Sequence, residues 1–237
     1  EERKHGQLFT LNGAKEILAM LLAECDKTGL VEIKTSCEVK AVTSIADQGF
    51  QVATTLGHFQ AESVVVASGG LSVPTLGVSG IGYDIAKQFG HHIHQTRAGL
   101  VPFTFSDQFK EVTTRLSGNA VNATLSNDLN SFTEVLLFTH RGLSGPSSLQ
   151  LSNYWDVGQS FKINFLPYLD LIDFLKAKKQ SQPKVLLRTL LIEHLPKSVV
   201  LELQTLIWAE SADMAIGNLS DDKLEQIANR LHAFEVK

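Results

Sequence analysis

The sequence SVVVASGGLSVPTLGVSGIGYDIA, residues 63–86, carries the most informative pattern of the chain. Its apolar, β-branched start at residues 64–66 predicts a strand buried on both faces, as found inside a parallel sheet. Gly69 and Gly70 follow, and their missing side chains permit a sharp turn and the close approach of a ligand to the backbone. Ligands of open α/β sheets bind beyond the carboxyl ends of strands, so we expect this loop to contact a nucleotide or cofactor. A glycine pair alone is more often a tight turn between core elements.

The residues before this stretch predict a helix, a strand and a meander, in that order. Apolar residues at helical spacing predict a helix over residues 13–28, with Asn12 as its N-cap and Gly29 at its C-terminus. The predicted strands that follow are residues 30–34, 38–45, 50–55 and 59–67. Turn residues around Asp47 and Gly57 separate the last three, which predicts an antiparallel meander leading into the buried strand.

The second half of this stretch predicts a short helix, and the sequence changes in character after Gly90. The glycines Gly77, Gly80 and Gly82 precede a short helix predicted at residues 83–89. Residues 100–103 are predicted to be extended, because the residue before a proline avoids helical geometry. Further predicted strands are residues 119–125, 133–139 and 161–165, and predicted helices are residues 170–179, 184–194, 198–210 and 221–234, the last capped by Ser220.

The composition is that of an ordinary globular protein and argues against several kinds of partner. The chain has 237 residues, of which 43% are hydrophobic and 19% charged, enough for one large domain or two small ones. A net charge of −4 without a basic cluster predicts that neither nucleic acid nor an anionic membrane is a partner. Cys25 and Cys37 are too few and too far apart for a zinc site, so we expect no metal and a reducing cytoplasm.

Residues 138–150, FTHRGLSGPSSLQ, form the second informative stretch. A predicted strand ends there, and the proline of the segment 144–146 is typical of a first helical turn. Free N–H groups at a helix start bind anions, and His140 and Arg141 add a titratable group and a fixed cation. A structural strand-to-helix turn with an exposed arginine explains the same residues equally well.

The two stretches together resemble a known family. Residues 64–91 follow the pattern VVxASGGLSxPxxGxxGxGYxIAxxFGH, residues 137–150 follow LFTHRGLSGPxxLQ, and LVPF lies between them. These motifs resemble the BaiN/RdsA family of bacterial flavoproteins, also called the YhiN-like family, and residues 6–18 resemble a third segment of it. The expected fold class is then α/β plus α+β. Residues 1–96 would be a partial FAD-binding Rossmann-like domain with a β-meander, and residues 97–237 a mixed β and helical insert domain.

The resemblance also implies roles for individual residues. The residues expected to bind FAD are Ala67, Ser68, Gly69, Gly70 and, through its backbone, Val39. The residues expected to position the substrate or tune its electrostatics are Thr139, His140 and Arg141. The implied activity is that of a FAD-dependent oxidoreductase with a small-molecule substrate, and NAD(P)H is left open as the electron donor.

The chain also departs from the family pattern. The family's GxGxxG unit and its Gly-Gly-Val and Ala-Gly-Glu segments do not occur in the sequence, so we expect a fragment with an incomplete FAD site that is inactive alone. One alternative is a non-catalytic binding or interaction domain that needs no flavin. A more distant one is a hydrolase using Ser144 and His140, although the residues around Ser144 do not match G-x-S-x-G.

Overall fold

The computed structural model describes residues 1–2, 6–46, 48–72 and 79–237. Gly77 of the second glycine group and Asp47 of a predicted turn therefore lie outside the described residues. The chain divides into two compact units, Glu1–His94 and Gln95–Lys237. The division follows His94, two residues before the boundary placed from the sequence.

The first unit contains the predicted meander. Its strands β1 (Val39–Ile45), β2 (Gly49–Thr54) and β3 (Gly57–Ala61) form an antiparallel sheet in the order β1-β2-β3. Alternate apolar side chains are aligned across it, since Val42 pairs with Val52 and Val52 pairs with Phe59. The predicted meander is confirmed.

Two helices complete the described part of this unit, α1 (Lys15–Thr28) and α2 (Ile81–Gln88). The C-terminus of α1 is the predicted one, because Gly29 has a φ of 63°. Asn12 is not its N-cap; the Asn12 backbone N–H and side-chain amide instead donate to the Glu16 carboxylate over 3.3 and 3.1 Å. No residue of α1 is buried.

The predicted strand at residues 64–66 is wrong for the described structure, and so is that at residues 30–34. Neither segment pairs with a strand among the described residues, and Val65 and Val66 are 88% and 45% exposed. A strand is buried on both faces only when neighbouring strands and covering helices surround it. The described part of this unit has only antiparallel strand pairs, so its mixed α and β character is confirmed but a Rossmann-like parallel sheet is not.

The second unit is built on a six-stranded sheet in the order β4-β7-β6-β5-β8-β9, with every neighbouring pair antiparallel. The strands are β4 (Phe103–Thr104), β5 (Ala120–Ser126), β6 (Ser131–Thr139), β7 (Gly142–Ser144), β8 (Phe161–Asn164) and β9 (Phe234–Val236). The predicted strands correspond to β5, β6 and β8. Strands of two or three residues are too short to show an alternating pattern, so β4, β7 and β9 were not predicted.

Six helices accompany this sheet in the described residues: α3 (Gln108–Arg115), α4 (Pro146–Leu151), α5 (Leu171–Ser181), α6 (Leu187–Leu191), α7 (Lys197–Ile207) and α8 (Asp221–His232). The predicted cap of α8 is confirmed, since the Ser220 hydroxyl accepts from the Lys223 N–H over 3.1 Å. The helix predicted at residues 184–194 is reduced to α6, because Leu186 is extended and bridges to Ala215.

A single hydrophobic cluster holds this unit together. It joins the inner face of the sheet to the apolar faces of the helices, and its largest fully buried side chains include Trp208, Phe138 and Phe161. Burial of a large apolar side chain contributes about 1.5–3 kcal/mol, so this cluster is the main stabilising feature of the unit. No helix in the described part of the chain combines the length and apolarity needed to cross a bilayer.

Candidate functional site

A glycine-lined cleft in the first unit lies where the sequence predicted a cofactor loop. Its volume is about 380 Å³, and its lining residues are Val66, Ser68, Gly69, Gly70, Gly82 and Tyr83. One wall is the irregular segment after β3, and the other is the first turn of α2. The segment predicted as a strand thus still carries the glycine loop to the cleft.

At two glycines of the cleft, the absence of a side chain has different structural consequences. A Cβ at Gly82 would lie 2.8 Å from the Ser68 hydroxyl, so the absence of a side chain lets the loop pack against α2. Gly69 has a φ of 74°, and no atom of the described residues lies within 4 Å of a Cβ built there. The backbone at Gly69 is therefore accessible to a bound group, which fits a cofactor lying against the loop.

An apolar cleft of about 430 Å³ adjoins the glycine-lined cleft and shares Val66 and Gly82 with it. Its other lining residues are Val42, Phe50, Val64, Ile85, Ala86, Phe89 and His91. The Gln88 side-chain amide donates to the Val42 carbonyl over 2.6 Å and so ties α2 to β1. The two adjoining clefts suit a ligand with an apolar ring and a polar tail, as a flavin nucleotide has.

Two predicted cofactor residues do not line either cleft. Ala67 lies in the loop between lining residues and is exposed. Val39 begins β1, whose described residues pair only with β2, so the outer edge of β1 offers unpaired backbone groups. The backbone contact expected of Val39 remains a prediction.

The predicted residues Thr139, His140 and Arg141 form the turn of the hairpin between β6 and β7. The Thr139 hydroxyl accepts from the Arg141 and Gly142 N–H groups over 3.3 and 3.2 Å and donates to the Gly142 carbonyl over 3.0 Å. The Thr139 hydroxyl is thus hydrogen-bonded within the turn itself.

The side chains of His140 and Arg141 are exposed, while their backbone is fixed. The His140 carbonyl accepts from the Thr114 hydroxyl of α3 over 3.1 Å, and the Arg141 carbonyl accepts from the Phe105 N–H over 3.1 Å. The turn therefore presents an imidazole and a guanidinium to solvent from a rigid support.

The anion site predicted at the start of α4 is not found. The proline does occupy the first turn, as predicted, but Ser147 and Ser148 are fully buried there. Their hydroxyls donate to the carbonyls of Val135 and Leu143 over 3.2 and 3.0 Å. The first turn of α4 is packed against the sheet, which excludes a ligand from it.

Among the described residues, the hydrolase pair Ser144 and His140 and the neighbouring His92 and His94 do not assemble into a site. Ser144 lies in β7 opposite Leu137, whereas His140 is in the turn, and no hydrogen bond joins them among the described residues. The rings of His92 and His94 contact each other edge to face at 4.8 Å. No group of three His, Cys, Asp or Glu side chains in the described part of the chain could hold a metal ion.

A larger cleft, about 570 Å³, lies in the second unit and was not predicted. We call it the Trp155 cleft; its lining residues are Gln95, Arg97, Ala98, Val101, Trp155, Asp156 and Val157. No sequence motif distinguishes Trp155 from an ordinary packing residue. Two loops distant in sequence form the cleft, so local sequence patterns carry no signal for it.

Comparison with known proteins identifies the family. Residues 97–237 match the family described as the HI0933-like protein barrel and H2TH domain. The chain belongs to the HI0933-like family. The six-stranded sheet and the helices of the second unit are the matched part, and the family resemblance found in the sequence is confirmed.

Two relatives of this HI0933-like chain have names that state an activity. It is 39% identical over 241 aligned positions to the ribosomal RNA dihydrouridine synthase of Haemophilus influenzae, an alignment that covers 99% of this chain and 58% of that protein. It is 41% identical over 227 positions to the ribosomal RNA dihydrouridine synthase of Escherichia coli, covering 95% of this chain and 54% of that protein. The chain thus spans a little over half the length of these relatives.

The comparisons correct one prediction and support another at a coarse level. The exclusion of nucleic acid as a partner is wrong, because both relatives are named for an activity on ribosomal RNA. It rested on the net charge and on the lack of a basic cluster along the sequence, and neither describes the surface that folding brings together. The family is consistent with a flavoprotein oxidoreductase, as the resemblance implied.

Proposed function

We propose that this HI0933-like chain is part of a FAD-dependent oxidoreductase that reduces uridine to dihydrouridine in ribosomal RNA. The observation that carries the proposal is the 39–41% identity to two ribosomal RNA dihydrouridine synthases, which extends over both units and both motif stretches. A cytoplasmic location follows from the same proposal, because ribosomal RNA is modified where ribosomes are assembled.

The reaction adds a hydride and a proton across one carbon–carbon double bond of the uracil ring. When bound, reduced FAD would supply the hydride, and we propose NAD(P)H as the source of the electrons that reduce it. The protein then has to hold the cofactor, orient the base and provide a proton.

The glycine-lined cleft is the proposed cofactor contact. Ser68, Gly69 and Gly70 line it with a loop whose backbone is open at Gly69. Ala67 directly precedes this loop in the chain. Val39 lies on the edge strand β1, and we propose that its backbone meets the adenine.

The hairpin turn is the proposed substrate-positioning element. Arg141 carries a fixed charge suited to an RNA phosphate, and His140 places an imidazole beside it. Both side chains are exposed on a backbone anchored by Thr114 and Phe105, so their position does not depend on a flexible loop. Thr139 contributes by holding the turn.

A matched pair of glycine substitutions tests the cofactor contact in the full gene product. Gly69→Ala places a methyl group where the cofactor would lie, and we expect FAD affinity to fall about 5- to 100-fold. Gly90→Ala is the control, because Gly90 has a φ of 79° and also faces open space but lines neither cleft. Quenching of flavin fluorescence on binding measures the FAD affinity of both variants. Equal affinities in the two variants would contradict the assignment.

The activity itself is tested with unmodified ribosomal RNA, FAD and NADPH. We expect nuclease digests to contain a nucleoside heavier than uridine by two hydrogen atoms, detected by mass spectrometry. Absence of both flavin binding and this nucleoside would favour the alternative of a non-catalytic binding domain.

A further inference from the structure

The Trp155 cleft has no role in the function proposed above. It lies within the Gln95–Lys237 unit, whereas the glycine-lined cleft lies within Glu1–His94. Its volume of about 570 Å³ falls within the roughly 300–1,000 Å³ of small-ligand pockets. It combines one aromatic ring, one cation and one carboxylate, from Trp155, Arg97 and Asp156.

One wall of the cleft is a loop that holds the indole ring in place. The Trp155 indole N–H donates to the Gln159 carbonyl over 2.7 Å, and the Gln159 side chain accepts from the Asp156 N–H over 3.1 Å. The ring also contacts Phe103 edge to face, with centroids 5.1 Å apart. The half-buried indole is therefore held in one orientation and loses little freedom when a ligand stacks on it.

The other wall is held in a strained conformation. Leu100 has a φ of 54°, a left-handed conformation that costs a non-glycine residue about 1–2 kcal/mol. Hydrogen bonds of 3.0 Å from the Leu100 N–H to the Asn153 side chain and from the Val101 N–H to the Ser152 hydroxyl maintain it. Strain kept in place by side-chain bonds is typical of ligand sites.

The charged pair of the cleft is easily rearranged. Arg97 donates to Asp156, and both side chains are about two-thirds exposed, at 64% and 65%. An exposed ion pair contributes at most about 1 kcal/mol, so exchanging its carboxylate for a phosphate costs little. Arginine binds phosphate oxygens in a bidentate manner, and the released Asp156 would accept hydrogen bonds from the N–H of a base.

We propose that the Trp155 cleft binds one unstacked nucleotide of single-stranded RNA, with the base stacked on Trp155 and a phosphate bound by Arg97. An aromatic ring beside a cation is the usual means of recognising unpaired bases. The choice of RNA as the partner rests on the proposed function. The choice of this cleft as the nucleotide site rests on the geometry of the cleft.

RNA binding by the 237-residue chain, measured without flavin, tests this site separately from the activity. The probe is a fluorescein-labelled oligouridylate of about 8 nucleotides, within the size range of single-strand sites. Trp155→Ala is expected to lower its affinity about 5- to 100-fold, the effect of losing one stacked base, whereas Trp155→Phe should retain most of it. Tyr168→Ala is the control, because Tyr168 is an exposed aromatic that does not line the Trp155 cleft.

The salt dependence tests the phosphate contact. Arg97→Gln should reduce the slope of log affinity against log salt by about 0.7, the value for one phosphate on a single strand. Arg188→Gln, which breaks an ion pair with Asp213 outside the cleft, should leave the slope unchanged. No binding by the unmodified chain, or equal binding by Trp155→Ala, would overturn the proposal. If the full gene product still forms dihydrouridine in either case, the proposed function stands and only this site is wrong.

Discussion

At the scale of single residues, the conformation of Gly145 depends on the absence of a side chain. Its φ is 89° and its ψ is 164°, and a Cβ there would lie 2.5 Å from the Val135 carbonyl oxygen and 2.9 Å from the Leu137 nitrogen. These atoms belong to β6, which cannot move without breaking its pairing with β5. Glycine at this position therefore lets α4 begin directly against the sheet.

Replacing Gly145 with alanine should destabilise the second unit by more than the cost of a positive φ alone. Gly118 provides the comparison, because its φ is also 89° but a Cβ there would meet nothing within 4 Å. We expect Gly118→Ala to cost about 1–2 kcal/mol and Gly145→Ala about 1–3 kcal/mol more. Urea unfolding followed by tryptophan fluorescence measures this unit selectively, since Trp155 and Trp208 both lie in it. Equal losses would show that strand β6 yields to the methyl group.

At the scale of elements, an ion pair links α5 to α8. Lys179 donates to Asp221 over 2.6 Å, and this hydrogen bond lowers the pKa of the Asp221 carboxyl below its ordinary value. A carboxyl with a lowered folded-state pKa stabilises the fold above its unfolded-state pKa. That contribution is lost as the pH falls through the folded-state pKa.

We expect Lys179→Met to raise the pKa of Asp221 toward its ordinary value, and carbon NMR of the Asp221 carboxyl measures this directly. Lys176→Met is the control, because Lys176 lowers the same pKa only through its charge and is the weaker cause. A larger shift in the Lys176 variant would contradict the assignment.

Elements with strong local signals were predicted well from the sequence. The cap at Ser220, the glycine end of α1 and the longer strands of the second unit each depend on nearby residues. The segment at residues 64–66 has the composition of a buried strand, but its conformation depends on neighbours that the described part of its unit does not supply.

The candidate sites show the same difference between features set by nearby residues and features set by distant ones. The loop at residues 68–70 lines a cleft because its glycines act locally. The Trp155 cleft joins residues around 97 to residues around 155, and a contact over that separation has no pattern in the sequence. Ser147 and Ser148 show the converse: the motif predicted an open helix start, but the sheet covers it.

At the scale of the whole molecule, the two units differ sharply in burial. Among the described residues of Glu1–His94, Val42 is the only buried hydrophobic side chain, and leucines of α1 such as Leu18 and Leu21 are more than half exposed. The second unit instead contains one large buried cluster. The two units should therefore differ greatly in stability as isolated fragments.

We expect a fragment of residues 95–237 to unfold cooperatively in urea, with a tryptophan transition close to that of the whole chain. A fragment of residues 1–94 should show no cooperative transition and should bind a dye specific for exposed apolar surface. Circular dichroism and dye fluorescence compare the two. A cooperative transition in residues 1–94 would show that this unit has a core of its own.

The pairing of β8 with β9 has a consequence for synthesis on the ribosome. Phe161 pairs with Val236, which follows it by 75 positions, so the edge of β8 stays open until residue 236 has been made. At about 5–20 residues per second, that interval lasts about 4–15 s. Throughout it the nascent sheet displays the unpaired edge of β8, which is open to mispairing until β9 has been made.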